Sequence, residues 1–337
     1  MRKRISIAVV SLAVLVLALV ASGCGSKENP TTAAETTPFE LMLDFFPNAD
    51  HAPIYAAKAA GYFKQAGLDL KIRTPNDPSV PIKDVAAGRV DLAISYEPEL
   101  LRARDEGLNV VSVGALVQKP LTSLISLDKP AITKPSQLEG KKVGTAGIDY
   151  QTAYLKTILA KANVPAESVK EQNVGFNLVP ALVTHRVDAI LGGYWNYEAE
   201  QLKLAHKHPN VLRLEQLGVP PYNELVFVAN GDALDRDQAK IRRFMGAVAR
   251  GLKDLRRDPN AAIQGLLKDN PDLDPQLQKA SVRVTLPVFS PPSGEPFGWQ
   301  DPEQWGAFAA WMHQNGILKT ATATGAFSNH YLPGQGL

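Results

Sequence analysis

Short apolar runs separated by helix-period segments set the rhythm of the chain from Phe39 onward. Leu41-Met42-Leu43 reads as a buried strand, Tyr55 to Phe63 as a helix halted near Gly67, and Leu68 to Ile72 as a second strand. Ile82 to Ala87 follows as a short helix ended by Gly88, and Val90 to Ile94 as a third strand. Glu97 to Asp105 is a helix ended by Gly107, and Val110 to Val117 a fourth strand. This alternation predicts an α/β architecture, a mostly parallel sheet with helices on both faces.

A second round begins near Thr122. Thr122 to Leu127 reads as a strand, Lys141 to Gly147 as a strand running into a Gly-rich turn, and Thr152 to Ala162 as a helix. Val179 to Thr184 is a short helix, Val187 to Leu191 a strand, and Leu225 to Asn230 another. Beyond Asp235 the chain is helical, with boundaries at Asp258-Pro259, Asn270-Pro271 and Asp274-Pro275, where proline disfavours helix in the residue before it. One echo links the rounds. Ala86 to Glu99 (AAGRVDLAISYEPE) and Val183 to Glu198 (VTHRVDAILGGYWNYE) each run from a short helix through Arg-Val-Asp into a strand. Each ends in an aromatic loop with a glutamate. Two similar lobes, each offering a loop at a strand's carboxyl end, are the expected result, and ligands bind at that edge of open α/β sheets.

The amino-terminal pattern is of another kind. Arg2, Lys3 and Arg4 precede sixteen residues, Ile5 to Val20, that are apolar except for Ser6 and Ser11. Ala21-Ser22-Gly23-Cys24 follows, so residues 1–23 read as a secretory signal peptide and Cys24 as a lipidation site like that of a bacterial lipobox. Cys24 is the one cysteine in the chain, so no disulfide forms within a molecule. Residues 24–37, rich in Ser, Asn, Pro and Thr, read as a flexible tether. Without the leader, 33 Lys and Arg stand against 34 Asp and Glu, a balance with no electrostatic footprint for nucleic acid.

Candidate chemistry gathers in the loops. In Leu43 to Ala57 (LDFFPNADHAPIYAA), Asp50 can cap a helix and Pro53 suits its first turn. Capping requires neither Phe46, Asn48 nor His51, which become candidates for a ligand site. Gly192 to Glu198 (GGYWNYE) sets Tyr194 and Trp195 beside Glu198, the composition of a small-molecule pocket. Tyr96 and Glu97 are their counterparts in the first round, and Trp299 is a further aromatic candidate. These loops carry several acids and neither lysine nor arginine. They suit a flat, uncharged, donor-rich ring better than an anion, which calls for cationic forks. No G-x-S-x-G or H-E-x-x-H pattern is present, so no catalytic residue, cofactor or metal is expected.

In their order these motifs resemble the binding proteins for thiamine pyrimidine precursors: Pro47-Asn48-x-x-His51, Gly61-Tyr62-Phe63, RVDLAISYEPE, KPLTSLISL, GKKVGTAG, GGYWNYE and FGWQDPEQW. The resemblance covers about Phe39 to Trp311. It implies a type II periplasmic-binding-protein fold with one lobe from 38–119 and 225–337 and the other from 120–224. It further implies hinges near Lys119–Thr122 and Pro221–Glu224. It implies a monomer, lipid-anchored outside the cytoplasm, that delivers hydroxymethylpyrimidine or formylaminopyrimidine to an ABC permease and ATPase. Asn48 and His51 then face the cleft from one lobe, and Tyr194, Trp195 and Glu198 from the other. Glu198 takes the aminopyrimidine edge. Other members of the superfamily supply the alternatives: riboflavin, then nitrate, sulfonate or taurine binding, and last hydroxymethylpyrimidine phosphate synthase, an enzyme with a cysteine-rich motif that this chain lacks.

Overall fold

A computed structural model describes residues 36–334; the leader and Cys24 lie outside the described residues, as does all but the end of the tether. Ten strands form two five-stranded sheets. The first holds β1 (Thr37–Met42), β2 (Leu68–Arg73), β3 (Leu92–Ser95), β4 (Val110–Val117) and β10 (Leu225–Asn230), in the order β2-β1-β3-β10-β4. The second holds β5 (Thr122–Ser126), β6 (Lys142–Thr145), β7 (Lys170–Asn173), β8 (Ala189–Tyr194) and β9 (Asn210–Arg213), in the order β7-β6-β8-β5-β9. In each sheet the fourth strand alone runs antiparallel to its neighbours, β10 in the first and β5 in the second. Each of these reversed strands is the first to follow a crossing between sheets. The chain crosses at 118–121 and returns at 214–224.

The echo read from the sequence has a structural cause. The Asp91 carboxylate accepts the Glu40 N–H at 2.7 Å, and the Asp188 carboxylate accepts the Lys142 N–H at 2.8 Å. Each Arg-Val-Asp thus clips the strand beside it, β1 or β6, in the same way in both lobes.

Helix α1 (Ala52–Ala59) follows β1, and α2 (Tyr62–Gln65) follows α1. The expected single helix from Tyr55 to Phe63 is broken because Gly61 takes a left-handed φ of 73°. Helices α3 (Pro81–Ala86) and α4 (Glu97–Asp105) complete the first round, and α5 (Asp149–Lys161), α6 (Leu178–Val183) and α7 (Glu198–Leu204) serve the second. The carboxyl-terminal third is α8 (Leu234–Arg257), α9 (Pro259–Ala262), α10 (Gln264–Asp269), α11 (Pro275–Thr285) and α12 (Pro302–Gln314). On α8 the apolar residues Ile241, Phe244, Val248, Leu252 and Leu255 recur at helical spacing and are buried. Phe244 stacks on Phe39 with centroids 5.0 Å apart and meets Phe227 edge-on at 5.3 Å, which fixes α8 to the first sheet. No helix among the described residues is long and apolar enough to cross a membrane.

Candidate functional site

The strand order places the site. Because β3 lies next to β1, the loops after both strands meet, and the Tyr96 hydroxyl donates to Asp44 Oδ2 at 2.9 Å. A short 3-10 turn, Ala49–His51, then folds the loop inward. The Asn48 N–H donates to His51 Nδ1 at 3.2 Å, so the ring proton sits on Nε2 and is donated to Asp44 Oδ1 at 2.8 Å. Asp44, only 2% exposed, is therefore held from two sides. The helix start is capped differently from the sequence reading. Asn48 Oδ1, not Asp50, accepts the backbone N–H, and Pro53 sits in the first turn of α1 as expected.

Across the cleft, the loop after β8 turns back on itself, and Glu198 Oε2 accepts the Tyr194 N–H at 2.7 Å. Gly192 has φ of 110°, and a Cβ there would stand 2.4 Å from Gln151 Nε2, so only glycine lets Gln151 reach the Ala146 N–H at 2.8 Å. The two walls close on a small cavity of about 20 Å3. The first sheet's loops line it with Asp44, Phe45, Asn48 and Tyr96; the second's with Ala146, Ile148, Tyr150, Gln151, Leu178, Gly192, Tyr194, Tyr197 and Glu198. From these walls Tyr96 and Tyr150 continue into Tyr154 as a ladder with centroids 5.6 and 5.2 Å apart.

No lysine or arginine is among these lining residues. Burial pushes the Glu198 carboxyl up to about 7, and the nearby Asp44 charge adds to the effect. Burial also raises the Tyr96, Tyr150 and Tyr194 phenols well above their usual range, so these rings are neutral hydrogen-bonding groups. The cleft therefore offers aromatic faces, carboxyl groups and phenols, with no positive charge for an anion.

Of the residues singled out in the sequence, Asn48, Tyr96, Tyr194 and Glu198 line this cleft. Phe46 lies just outside it, 48% exposed on an adjoining groove, with its ring centroid 4.2 Å from that of Phe176 of the other sheet's loops. His51 is fully buried beneath the loop, where it braces Asp44. Glu97 and Trp195 point to the crossings instead. The Glu97 carboxylate accepts the backbone and side-chain N–H of Asn223 at 2.7 and 2.8 Å, and burial pushes it up to about 8. The Trp195 indole N–H donates to the Pro120 carbonyl at 3.0 Å, with the Arg213 guanidinium 4.1 Å from the ring. Trp299 belongs to a loop that pairs with β4 through Ala115 N–H and Gly298 O, at the far edge of the first sheet. Glu224, absent from that set, joins both crossings: its carboxylate accepts the Leu121 and Thr122 N–H at 2.6 and 2.8 Å.

A family model described as NMT1/THI5 like matches residues 48–262. The chain belongs to the NMT1/THI5-like family. It is 33% identical over 323 residues to the formylaminopyrimidine-binding protein of Halalkalibacterium halodurans, covering 94% of this chain and 96% of that one. It is 26% identical over 265 residues to a 4-amino-5-hydroxymethyl-2-methylpyrimidine phosphate synthase of Saccharomyces cerevisiae, covering 76% and 78%. Among solved structures it is similar to the alkanesulfonate-binding protein SsuA from Xanthomonas axonopodis pv. citri bound to MOPS, with a TM-score of 0.67 and 20% identity over 88% of this chain and 99% of that one. This NMT1/THI5-like chain thus has the two-lobe fold of solute-binding proteins. The family match begins at Asn48, so the acid that the loop after β1 gives to the cleft, Asp44, precedes it.

Proposed function

We propose that the protein is an extracytoplasmic solute-binding lipoprotein of an ABC importer that captures a thiamine pyrimidine precursor, hydroxymethylpyrimidine or formylaminopyrimidine. The observation that carries this reading is the pairing of Asp44 and Glu198 from opposite sheets in a cleft of aromatic rings with no cation. A 4-aminopyrimidine presents an exocyclic amine and a basic ring nitrogen on one edge and two π-faces. Glu198 meets the edge, Tyr194 and Phe45 lie against the faces, and Asn48 completes the polar rim. Asp44, fixed by His51 and Tyr96, adds the negative field that favours a protonated or amine-bearing ring. The relative with formylaminopyrimidine in its name, alike over nearly the full length, supports the same class of ligand.

Capture proceeds by hinge closure about the two crossings at 118–121 and 214–224, with Glu97, Trp195 and Glu224 as ties that hold the crossings in place as the lobes move. Cys24 tethers the protein to the membrane by its lipid, and the closed form is what a permease engages. The test is calorimetric titration with 4-amino-5-hydroxymethyl-2-methylpyrimidine and its formylamino analogue, joined to mass spectrometry of small molecules released from the purified protein. Micromolar or tighter binding without turnover is expected. A carried flavin or sulfonate, or chemical conversion of the added pyrimidine, overturns the reading.

A further inference from the structure

The cleft does not account for a second buried polar cluster, which joins the lobes beside it. Asn196, fully buried in the loop after β8, donates through Nδ2 to Asp50 Oδ1 at 2.6 Å and to Thr285 Oγ1 at 2.7 Å. Asp50 belongs to the loop after β1, and Thr285 to α11. The Ser281 hydroxyl donates to the Asn196 carbonyl, and Gln278 Nε2 donates to the Tyr197 hydroxyl at 3.0 Å. Gln278, Ser281 and Thr285 recur at helical spacing, so α11 presents a fully buried polar stripe to the second lobe's loop. Packed cores do not place six polar side chains together without reason. An interface that must open to water has one, because these groups lose little when they separate and are rehydrated.

The hydrogen bonding within the cluster is unbalanced in one direction. Asp50 Oδ2, Asn196 Oδ1 and Gln278 Oε1 are buried acceptors with no donor among the described residues. Asp50 is 1% exposed, and among the described residues the Asn196 amide is its side chain's one hydrogen-bond partner. The charged groups acting on it are all acids: Asp44 from its own loop, Glu198 from the opposite loop and Glu224 from the return crossing. His51, its neighbour, uses both ring nitrogens on Asn48 and Asp44. The facing side chains of α11, Gln278, Ser281 and Thr285, are uncharged. A carboxylate in this setting lacks a counter-ion and one oxygen lacks a partner. A proton on Oδ2 removes the charge and turns a stranded acceptor into a donor. The result is a carboxylic acid facing a carboxamide, a pair that can exchange two hydrogen bonds.

We propose that Asp50 and Asn196 form a latch between the lobes that shuts on ligand capture and takes up one proton as it shuts. When the lobes part, water reaches Asp50 and it ionises in the ordinary carboxylate range; when they close, burial holds its carboxyl well above that range. The closed form is then favoured at low pH, and its advantage declines as pH rises above the open-state value. Capture becomes coupled to the proton activity outside the cell, through a residue that does not line the ligand cleft.

The inference rests on the capture reading, so its test has an arm with ligand and one without. With 4-amino-5-hydroxymethyl-2-methylpyrimidine as probe, titration calorimetry at pH 7 in buffers of different ionisation enthalpy counts protons taken up on binding. The native protein is expected to take up about one more proton than Asp50→Asn, whose amide mimics the protonated acid. Asp50→Asn still binds, and its Kd loses a pH dependence of up to about tenfold per unit. Asn196→Asp sets two acids against each other and steepens that dependence, a second readout should Asp50→Asn fold poorly. Without ligand, small-angle scattering is expected to show a smaller radius of gyration at pH 5 than at pH 8 for the native protein and no such change in Asp50→Asn. Equal proton counts in native and variant protein, or the same pH-dependent compaction in both, overturn the latch. Failure of the probe to bind the native protein removes the pyrimidine reading and leaves the scattering arm to decide the latch.

Discussion

Replacing Glu198 by glutamine isolates the charge that the pyrimidine reading requires. The side chain opens α7, is 8% exposed, and uses one oxygen to accept the Tyr194 N–H at 2.7 Å. Glutamine keeps the volume and that acceptor, so the loop after β8 should hold its shape. What disappears is the second carboxylate oxygen and the charge. A hydrogen bond to a buried charged group contributes about 1.5–3 kcal/mol, which corresponds to roughly 10- to 150-fold in Kd. The pH dependence gives a sharper check. The native carboxyl is pushed up to about 7, so below that pH it is protonated and resembles the amide. The gap between native and variant affinities should therefore be small near pH 5.5, open through pH 7 and reach its full size by pH 8. Titration calorimetry with the hydroxymethylpyrimidine at those pH values measures it directly. Affinities within twofold at pH 8, or a gap that does not change with pH, would refute the role given to Glu198.

Three further outcomes follow from the same geometry. Burial pushes Glu224 up to about 7, so its folded form prefers the proton; its stabilising effect is full below about 4.5 and is lost as pH rises through 7. Glu224→Gln should thus gain on the native protein with rising pH, by at most about 3 kcal/mol, in urea titrations at pH 4.5 and 8, and a constant difference would contradict it. Phe176→Ala removes ring contacts to Phe45 and Phe46 at 4.5 and 4.2 Å across the cleft mouth; stopped-flow fluorescence should show ligand release about tenfold faster. Gly192→Ala drives a Cβ to 2.4 Å from Gln151 Nε2 at a φ of 110°; calorimetric unfolding should report about 1–3 kcal/mol of lost stability.

Sequence patterns revealed the strands that bury apolar runs, and they missed those that do not. Lys170–Asn173 and Asn210–Arg213 are edge strands of the second sheet with no fully buried residue, recruited by backbone pairing to β6 and β5. Nothing in KEQN signals a strand until its neighbour is known. The loop after β1 shows the same limit at the level of single residues. Its excess of chemistry was legible, but the assignment of parts was not. The sequence alone points to His51 as a ligand group and Asp50 as a cap. In the structure Asn48 is the cap, His51 a brace and Asp50 a contact to the other lobe. Those roles depend on β1 lying beside β3, and on a loop 146 residues away in sequence meeting Asp50. Glu97 and Trp195 sit at the ends of equivalent strands, so motif position alone placed them in the cleft; which way each side chain turns is decided by Asn223 and Pro120, distant partners that no local pattern names.

The three acids that share this region differ in what completes them, and the difference orders the steps of capture. Asp44 is complete before any ligand arrives, because His51 and Tyr96 both come from its own lobe. Glu198 stands in the wall of the cleft with one oxygen on the Tyr194 N–H, where an amine-bearing ring adds a further donor. Asp50 is completed only by Asn196 of the opposite lobe, and only fully if it carries a proton. A ligand shifts an equilibrium between open and closed forms by no more than its difference in affinity for the two. Here the open form offers the ligand Asp44 and one set of rings, and the closed form adds Glu198 and the second set. Closure without ligand leaves Glu198 without that further donor while costing Asp50 its hydration. The ligand removes the first of these penalties and the proton the second, so on this reading tight capture requires both.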